Sequence, residues 1–352
     1  MTKIDIISGF LGAGKTTLIN RLIKEAYHGE KVVLIENEFG EIGIDGGFLK
    51  DAGIEITEMN SGCICCSLVG DFSEALNKVI KEYTPDRILI EPSGVGKLSD
   101  VTKAVNGAQL HDATLNSATV VVDVNKCKMY MKNFGEFFNN QIENAGCIVF
   151  SHTDKTTDAK LSEALTLVRA HNSSATVVTT PANKLDIATL ISAIENKDTL
   201  NALTESLMHE DECPICHHHH DHDECHHEHH HHDHDECHHE HHHHDHDECH
   251  HEHHHHHHAD EVFTSWGVET LKKYSANDIT DILKELENSE KYGFILRAKG
   301  IVASDNNEWI YFDYVPEEPD VRFGTPATIG KLCVIGSNIN EHNIEHLFGI
   351  KE

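Results

Sequence analysis

A glycine-rich turn near the N-terminus is the feature that most constrains the fold. Residues 9–16 read GFLGAGKT and fit the pattern G-x-x-x-x-G-K-[ST]. The turn directly follows an apolar run at 3–8, which predicts a buried strand, and it opens a helical pattern at Lys15. A strand, this turn and a helix in that order are typical of one unit of a parallel α/β sheet.

The same turn predicts a phosphate-binding loop. Glycines let backbone N–H groups curl around phosphate oxygens, and the helix N-terminus adds positive potential. We expect the Lys15 ammonium to neutralise the β- and γ-phosphates of a nucleotide and the Thr16 hydroxyl to ligate Mg²⁺. The predicted nucleotide contacts in this loop are Gly12, Ala13, Gly14, Lys15, Thr16 and Thr17.

The first part of the chain alternates short apolar runs with helical patterns. The runs lie at 3–8, 31–36, 54–59, 87–91, 118–124, 147–150 and 175–178, and helical periodicity fills stretches such as 15–27, 67–83, 157–171 and 185–195. Several runs are continuously apolar, as buried parallel strands are. We therefore predict that residues 1–204 form a doubly wound α/β domain with a mostly parallel sheet.

A carboxylate at the end of a second strand is the expected partner of the phosphate loop. Residues 87–94 read RILIEPSG, which places Glu91 at a strand terminus and Gly94 in the following turn. Glu91 can hold the Mg²⁺ shell or its water, and Gly94 can approach the γ-phosphate. The alternative is a strand-ending carboxylate before a proline turn.

An acidic loop follows the strand at 31–36. Residues 36–41 read ENEFGE, and their three carboxylates could surround Mg²⁺, position water or reach a second metal. We assign catalytic roles to Lys15, Glu91 and Glu38. A solvated acidic loop remains the alternative for residues 36–41.

The segment expected to read the base is irregular. Ser151, His152, Thr153 and Asp154 stand where GTPases of this type usually carry Asn-Lys-x-Asp. The Asp154 carboxylate can still accept from guanine N1 and the exocyclic amino group, which adenine does not offer. We therefore favour guanine over adenine, with Ser151 and Asp154 as the base contacts.

Three thiols lie within four residues, at Cys63, Cys65 and Cys66. Thiolates suit Zn²⁺, Co²⁺ or Cu⁺, and three protein ligands with one open position suit a site that exchanges its metal. Buried apolar cysteines and a redox pair are the alternatives.

Residues 205–261 have low complexity. The unit HHHHDHDECHHE occurs three times, and residues 217–258 hold 27 of the 34 histidines. The segment has too little apolar surface to fold alone, so we predict that it is disordered without metal. Its histidines and its cysteines (Cys213, Cys216, Cys225, Cys237 and Cys249) predict a metal store, and a solvating acidic linker is the alternative.

Residues 262–352 predict a small α+β domain. Strands are expected at 262–268, 293–304, 307–315 and 331–337, and helices at 276–288 and 340–348.

The formal net charge of −31 argues against binding to nucleic acid. No run approaches 18 apolar residues and no signal peptide is evident, so we infer a cytoplasmic protein without a membrane span.

Four motifs, GFLGAGKTT at 9–17, ENEFGE at 36–41, GCICC at 62–66 and EPSG at 91–94, closely resemble the CobW-like metallochaperone GTPases, relatives of HypB and UreG. The segments RAKGI at 297–301 and LCVIG at 332–336 look like that family's C-terminal domain. The resemblance implies that GTP and Mg²⁺ bind, that Cys-x-Cys-Cys carries Zn²⁺ or else Co²⁺, and that a client metalloprotein receives the ion. A homodimer is one conceivable assembly.

The resemblance supplies no obvious arginine finger, so slow intrinsic hydrolysis is expected, accelerated by metal or partner. Two rival functions stay open at this point. One is a metal-buffering or storage protein in which the nucleotide only regulates shape. The other is a P-loop kinase that phosphorylates a small molecule, against which the Cys-x-Cys-Cys element argues.

Overall fold

The computed structural model describes residues 1–36, 55–58, 69–108, 110, 112–196, 262–304 and 308–350, with only the backbone described for 55–58 and 69–71. Several predicted functional segments lie outside these ranges. They are Glu38 with its acidic loop, the cysteines Cys63, Cys65 and Cys66, and the whole of residues 205–261 with its five cysteines. Their roles stay predictions.

A parallel sheet of seven strands forms the N-terminal part of the described chain, in the order β3-β2-β4-β1-β5-β6-β7. Every strand pair in it is parallel, which confirms the predicted doubly wound α/β class. The strands are β1 (Thr2–Gly9), β2 (Val32–Glu36), β3 (Glu55–Glu58), β4 (Arg87–Glu91), β5 (Ala113–Asp123), β6 (Cys147–Ser151) and β7 (Thr176–Val178).

Helices connect these strands. They are α1 (Lys15–Arg21), which continues as a π-helical turn over Leu22–Ala26, then α2 (Val69–Tyr83), α3 (Leu98–Gly107), α4 (Cys127–Glu143), α5 (Asp158–His171) and α6 (Ile187–Ile194). Two start where the sequence supplies an N-cap: the Thr157 side chain accepts from the backbone N–H of Lys160, and Asp186 accepts from Thr189. Such caps satisfy backbone donors that the first helical turn leaves unpaired.

The strands read as apolar runs because both faces of the sheet are covered by helices. One buried polar group interrupts this core at the amino-terminal edge. Arg87 is 2% exposed and forms ion pairs with Asp5, with Glu30 at 2.7 Å and with Glu195 at 3.1 Å. Burial alone would lower the pKa of Arg87, but the hydrogen bond to Glu30 and the charge of Asp5 help to raise it above its usual value, so the guanidinium stays charged.

A second sheet of five strands follows, in the order β11-β10-β9-β12-β8, and its paired strands are antiparallel. Its strands are β8 (Thr264–Thr270), β9 (Phe294–Ala303), β10 (Trp309–Val315), β11 (Glu318–Gly324) and β12 (Gly330–Ser337). The accompanying helices are α7 (Ala276–Glu285), α8 (Ser289–Tyr292) and α9 (Glu341–Phe348). This agrees with the predicted α+β class.

Strand β11 was not among the predicted strands. Its sequence, EPDVRFG, lacks an alternation of apolar and polar residues, because most of the strand is exposed at the sheet edge. It forms by pairing with β10 along its whole length, from Val315 opposite Glu318 to Trp309 opposite Gly324. Tertiary pairing therefore created a strand that periodicity does not show.

An aromatic cluster joins the two sheets. Phe263, which precedes β8, packs on Phe10 of the glycine-rich turn at 6.2 Å between ring centroids and on Phe134 and Phe137 of α4 at 5.5 and 5.1 Å. Phe294 of β9 packs on Phe134 at 5.4 Å. The glycine-rich turn is thus in direct contact with the second sheet.

In the part of the chain that the structure describes, no helix is both long and apolar enough to cross a bilayer.

Candidate functional site

The glycine-rich turn lies between the carboxyl end of β1 and the start of α1. Gly12 and Gly14 have φ values of +72° and +97°, a left-handed conformation that L side chains rarely adopt. Gly14 is the N-cap of α1. The backbone N–H of Ala13 donates to the carbonyl of Phe10 at 3.1 Å, so it is engaged within the loop. The contact of Ala13 with phosphate therefore stays a prediction.

Three predicted site residues converge at this edge of the sheet. The buried Lys15 ammonium donates to the Gly9 carbonyl at 3.0 Å and lies 4.0 Å from Glu91 Oε1. The Thr16 hydroxyl donates to Glu91 Oε1 at 3.3 Å and lies 3.5 Å from Oε2. The convergence follows from topology, because β1 and β4 are parallel neighbours and their carboxyl ends meet at one edge.

These oxygen donors fit a Mg²⁺ ion. The Thr16 hydroxyl and the Glu91 carboxylate are hard ligands of the type that Mg²⁺ prefers, and the adjacent ammonium of Lys15 suits phosphate. A further carboxylate stands close by, since Glu36 at the end of β2 is in register with Glu91 and is only 8% exposed.

Gly94 lies directly against the glycine-rich turn. A Cβ at this position would lie 2.8 Å from both the backbone N and the Cδ2 of Leu11. The turn after β4 and the phosphate loop therefore approach each other so closely that only glycine fits. The structure thus brings Gly94 to the loop, as the sequence predicts for a residue near the terminal phosphate.

One of the two predicted base-reading residues, Ser151, lies beside the loop. Ser151 ends β6, and its Cβ lies 3.9 Å from the position that a Cβ added at Gly14 would take. The Ser151 hydroxyl is buried without a hydrogen-bond partner among the residues described. Asp154 lies in the short 3-10 turn Thr153–Lys155 and is exposed, so its carboxylate is accessible to a ligand.

The second sheet covers the phosphate loop, which the sequence did not reveal. A cavity of about 360 Å³ has Gly12, Gly14, Lys15, Thr16, Thr17 and Glu91 on one side. The side chains opposite come from β9, β10 and β11, namely Arg297, Asp313, Val315, Glu318, Asp320 and Arg322. The RAKGI segment was the one signal in the sequence, but nothing in its spacing placed Arg297 opposite Lys15.

One polar cluster bridges the two sheets beside this cavity. Asp123, His152 and Glu318 offer ligand atoms within 4.8 Å of one another. The Lys126 ammonium lies 3.0 Å from Glu318 Oε1 and 3.8 Å from Asp123 Oδ2, so a cation already occupies the cluster. Burial opposes ionisation of Glu318, but the hydrogen bond from Lys126 and the nearby positive charges together outweigh it and lower the pKa of that carboxyl. We interpret the cluster as an ion-pair contact between the sheets.

The three cysteines that the structure describes, Cys127, Cys147 and Cys333, are buried thiols. Burial raises the pKa of Cys127 and of Cys147 to about 12, with Asp123 and Glu163 adding to the effect at Cys127. Thiols in this state are poor metal ligands, so we interpret these buried cysteines as packing residues.

Comparison with known proteins assigns the part of the chain that forms the first sheet to a known family. Residues 3–179, half of the chain, match the family described as "CobW/HypB/UreG, nucleotide-binding domain". The chain is 35% identical over 159 residues to the zinc chaperone YeiR of Escherichia coli, covering 45% of this chain and 48% of YeiR. It is 40% identical over 126 residues to the zinc chaperone CobW of Sinorhizobium sp, covering 34% of this chain and 35% of that protein.

The chain therefore spans about half, or less, of the length of these curated relatives. Among solved structures, the zinc-bound YjiA GTPase of E. coli aligns over 100% of this chain and 99% of its own, at 18% identity and a TM-score of 0.43. The family match covers the phosphate loop, Glu91 and Ser151. This chain is a member of the CobW/HypB/UreG family of nucleotide-binding proteins.

Proposed function

We propose that this protein is a GTP-hydrolysing metallochaperone that carries Zn²⁺ and delivers it to a client metalloprotein. The observation that carries the proposal is the convergence of Lys15, Thr16 and Glu91 at the carboxyl edge of the parallel sheet. Relatives named zinc chaperones, and a 28% identical relative from Schizosaccharomyces pombe named zinc-regulated GTPase metalloprotein activator 1, support it.

The site residues take distinct parts in this proposal. The Lys15 ammonium binds the β- and γ-phosphates, and its low exposure strengthens that attraction because little water screens it. Thr16 and Glu91 hold Mg²⁺, which when bound neutralises charge that develops on the transferred phosphoryl group. Ser151 and Asp154 select guanine, and Glu38 positions the attacking water.

The cysteine cluster is the proposed cargo site, with Cys63, Cys65 and Cys66 as the ligands. β3 ends at Glu58, which is in register with Glu36 and, through β2, with Glu91. Two strand spacings separate Glu58 from Glu91, or about 10 Å. Cys63 follows five residues later, a reach of at most about 17 Å. The chain length thus allows the thiols to reach the nucleotide edge of the sheet.

If the thiols do lie at that edge, they can form a coupled switch with the nucleotide. Contacts of the γ-phosphate can order loops that hydrolysis then releases, so one nucleotide state assembles the three-thiolate geometry better than the other. Nucleotide and metal affinities are then reciprocally linked, and a tenfold effect needs only about 1.4 kcal/mol. Zinc is the first choice of cargo and cobalt the second.

The decisive experiment measures GTP turnover by apo-protein titrated separately with Zn²⁺, Co²⁺ and Ni²⁺. We expect metal-dependent turnover that falls about a hundredfold or more in Lys15→Ala. Lys24→Ala, which removes an exposed ammonium on the continuation of α1, is the matched control and should leave turnover unchanged. Phosphorylation of a small molecule, or no turnover at all, would instead favour the kinase or the storage protein.

Zinc affinity should also be measured with GTP analogue, with GDP and without nucleotide. Equal affinities in the three states would refute the coupled switch. Replacing Cys63, Cys65 and Cys66 by serine should abolish tight binding, whereas Cys127→Ser should not, since that buried thiol stays protonated.

We propose the His-rich segment as a metal store that feeds the cysteine site. Neutral imidazoles on a long acidic chain favour several weakly bound, rapidly exchanging ions. Cys213 and Cys216 form a tighter node, and Cys225, Cys237 and Cys249 add one thiol to each repeat. Deleting 213–258 should lower metal stoichiometry while GTP binding persists, and unchanged stoichiometry would leave only a linker.

A further inference from the structure

The covering side of the phosphate cavity carries two arginines that no motif predicted. Arg297 of β9 and Arg322 of β11 line the cavity of about 360 Å³ opposite Lys15 and Glu91. They come from a different sheet and lie about 280 and 305 residues after the phosphate loop, so neither belongs to the nucleotide-binding motifs. Their place in the cavity is a tertiary feature.

Direct contacts hold this side of the cavity against the loop. A Cβ added at Gly12 would lie 2.3 Å from Val315 Cγ1, so the β10 end touches the loop backbone. Lys126 Nζ donates to Glu318 Oε1 at 3.0 Å, which joins β11 to the residue just before α4. Phe263 packs on Phe10 within the loop itself. The second sheet is therefore part of the wall of the phosphate site.

Each arginine is oriented by a carboxylate of the same sheet. Arg297 Nη2 donates to Asp313 Oδ2 at 3.1 Å, and Arg322 forms an ion pair with Asp320 two residues earlier. A guanidinium has five N–H donors in a fixed planar fork, a geometry that suits it to binding carboxylate and phosphate oxygens together. The pairing limits how much side-chain order must be gained when an anion binds.

The two arginines also compensate carboxylates on the covering side of the cavity. Asp313, Glu318 and Asp320 would otherwise present carboxylates to an anionic ligand across a small cavity. Like charges repel, so uncompensated carboxylates there would oppose the binding of a triphosphate. Arg297 pairs with Asp313, Arg322 with Asp320 and Lys126 with Glu318, so each of these carboxylates has a cationic partner.

We propose that Arg297 and Arg322 bind the terminal phosphate of a nucleoside triphosphate, so that the second sheet completes the nucleotide site. The inference rests on the proposed function, because it requires a triphosphate in this cavity. It supplies within the chain the arginine contact that the motifs lack. Since the triphosphate then touches both sheets, its affinity and their association are linked reciprocally.

The test compares the full chain with Arg297→Ala, Arg322→Ala and Arg297→Lys. Affinity is measured for a non-hydrolysable GTP analogue and for GDP. Each alanine variant should bind the triphosphate about tenfold more weakly, the effect of losing one charge-assisted phosphate contact. GDP affinity should stay near wild type, and Arg297→Lys should be intermediate because it keeps charge without the fork. Lys331→Ala, on β12 and outside the cavity lining, is the control.

The outcomes separate the two proposals. If the wild-type chain binds neither nucleotide, the proposed function itself fails. If the wild type binds both and the alanine variants bind the GTP analogue equally well, the arginine proposal is wrong while the proposed function stands. Equal loss of GTP analogue and GDP in the variants would also contradict it, because the terminal phosphate is the postulated ligand.

Discussion

Replacing Gly94 by alanine tests how tightly the turn after β4 sets the phosphate loop. The new Cβ would meet the backbone N of Leu11 at 2.8 Å, whereas ordinary van der Waals contact begins near 3.4 Å. The two backbones must therefore separate by 3.4 − 2.8 = 0.6 Å. The Leu11 side chain can rotate away from the Cβ, but its backbone N moves only if the loop moves. The φ of Gly94 is not positive, so contact alone is tested.

We expect Gly94→Ala to reduce both GTP turnover and the free energy of unfolding, with the larger effect on turnover. A 1 Å misplacement near a reacting group can cost about a hundredfold in rate, so 0.6 Å should reduce GTP turnover about tenfold. Overpacking should lower the free energy of unfolding by about 1–3 kcal/mol. Turnover is measured by phosphate release, and unfolding by urea titration followed by circular dichroism.

Gly107→Ala is the matched control, because a Cβ at the end of α3 would meet nothing within 4 Å. It should leave turnover unchanged and raise the free energy of unfolding by about 0.5–1 kcal/mol, since alanine is the better helix former. If Gly94→Ala and Gly107→Ala have the same turnover, the close approach does not set the loop and the reasoning is wrong.

Three further predictions concern charges. Arg87→Met should lower the free energy of unfolding by about 3–5 kcal/mol, because it leaves the buried Asp5 carboxylate without its ion-pair partner, and a urea titration showing less than about 1 kcal/mol would contradict this. Burial opposes ionisation of Glu195. The side-chain hydrogen bond from Asn116 and the positive charges of Arg87 and Lys3 outweigh burial and lower the pKa of Glu195 below 4.5. Its stabilisation is therefore present above pH 4.5 and lost as pH falls through the lowered pKa, so Glu195→Gln should flatten the acid limb of a stability–pH curve. Lys126→Ala should cost only about 1 kcal/mol in urea titration, since Glu318 is 43% exposed and the contact with the buried Asp123 is long, at 3.8 Å. A loss above about 3 kcal/mol would show that these contacts dominate association of the sheets.

The local elements were largely predictable because their signals are local. Seven apolar runs predicted the seven strands of the first sheet, and the glycine pattern predicted the turn between β1 and α1. The meeting of Thr16 and Glu91 also followed, since parallel neighbouring strands end at one edge. Glu38 and the cysteines Cys63, Cys65 and Cys66 stay predictions, as they lie outside the described residues.

The sequence by itself determined the parallel α/β sheet, its phosphate loop and the acid that meets it. Short segments carry the strand periodicity and the glycine pattern, and parallel strands end at the same edge of their sheet. Only the tertiary structure decided that β11 forms, that Val315 touches the loop and that Arg297 faces it across a cavity. Gly12 and Val315 are 303 positions apart, and whether two such remote surfaces meet depends on complementary shape and charge, which spacing along a chain does not encode.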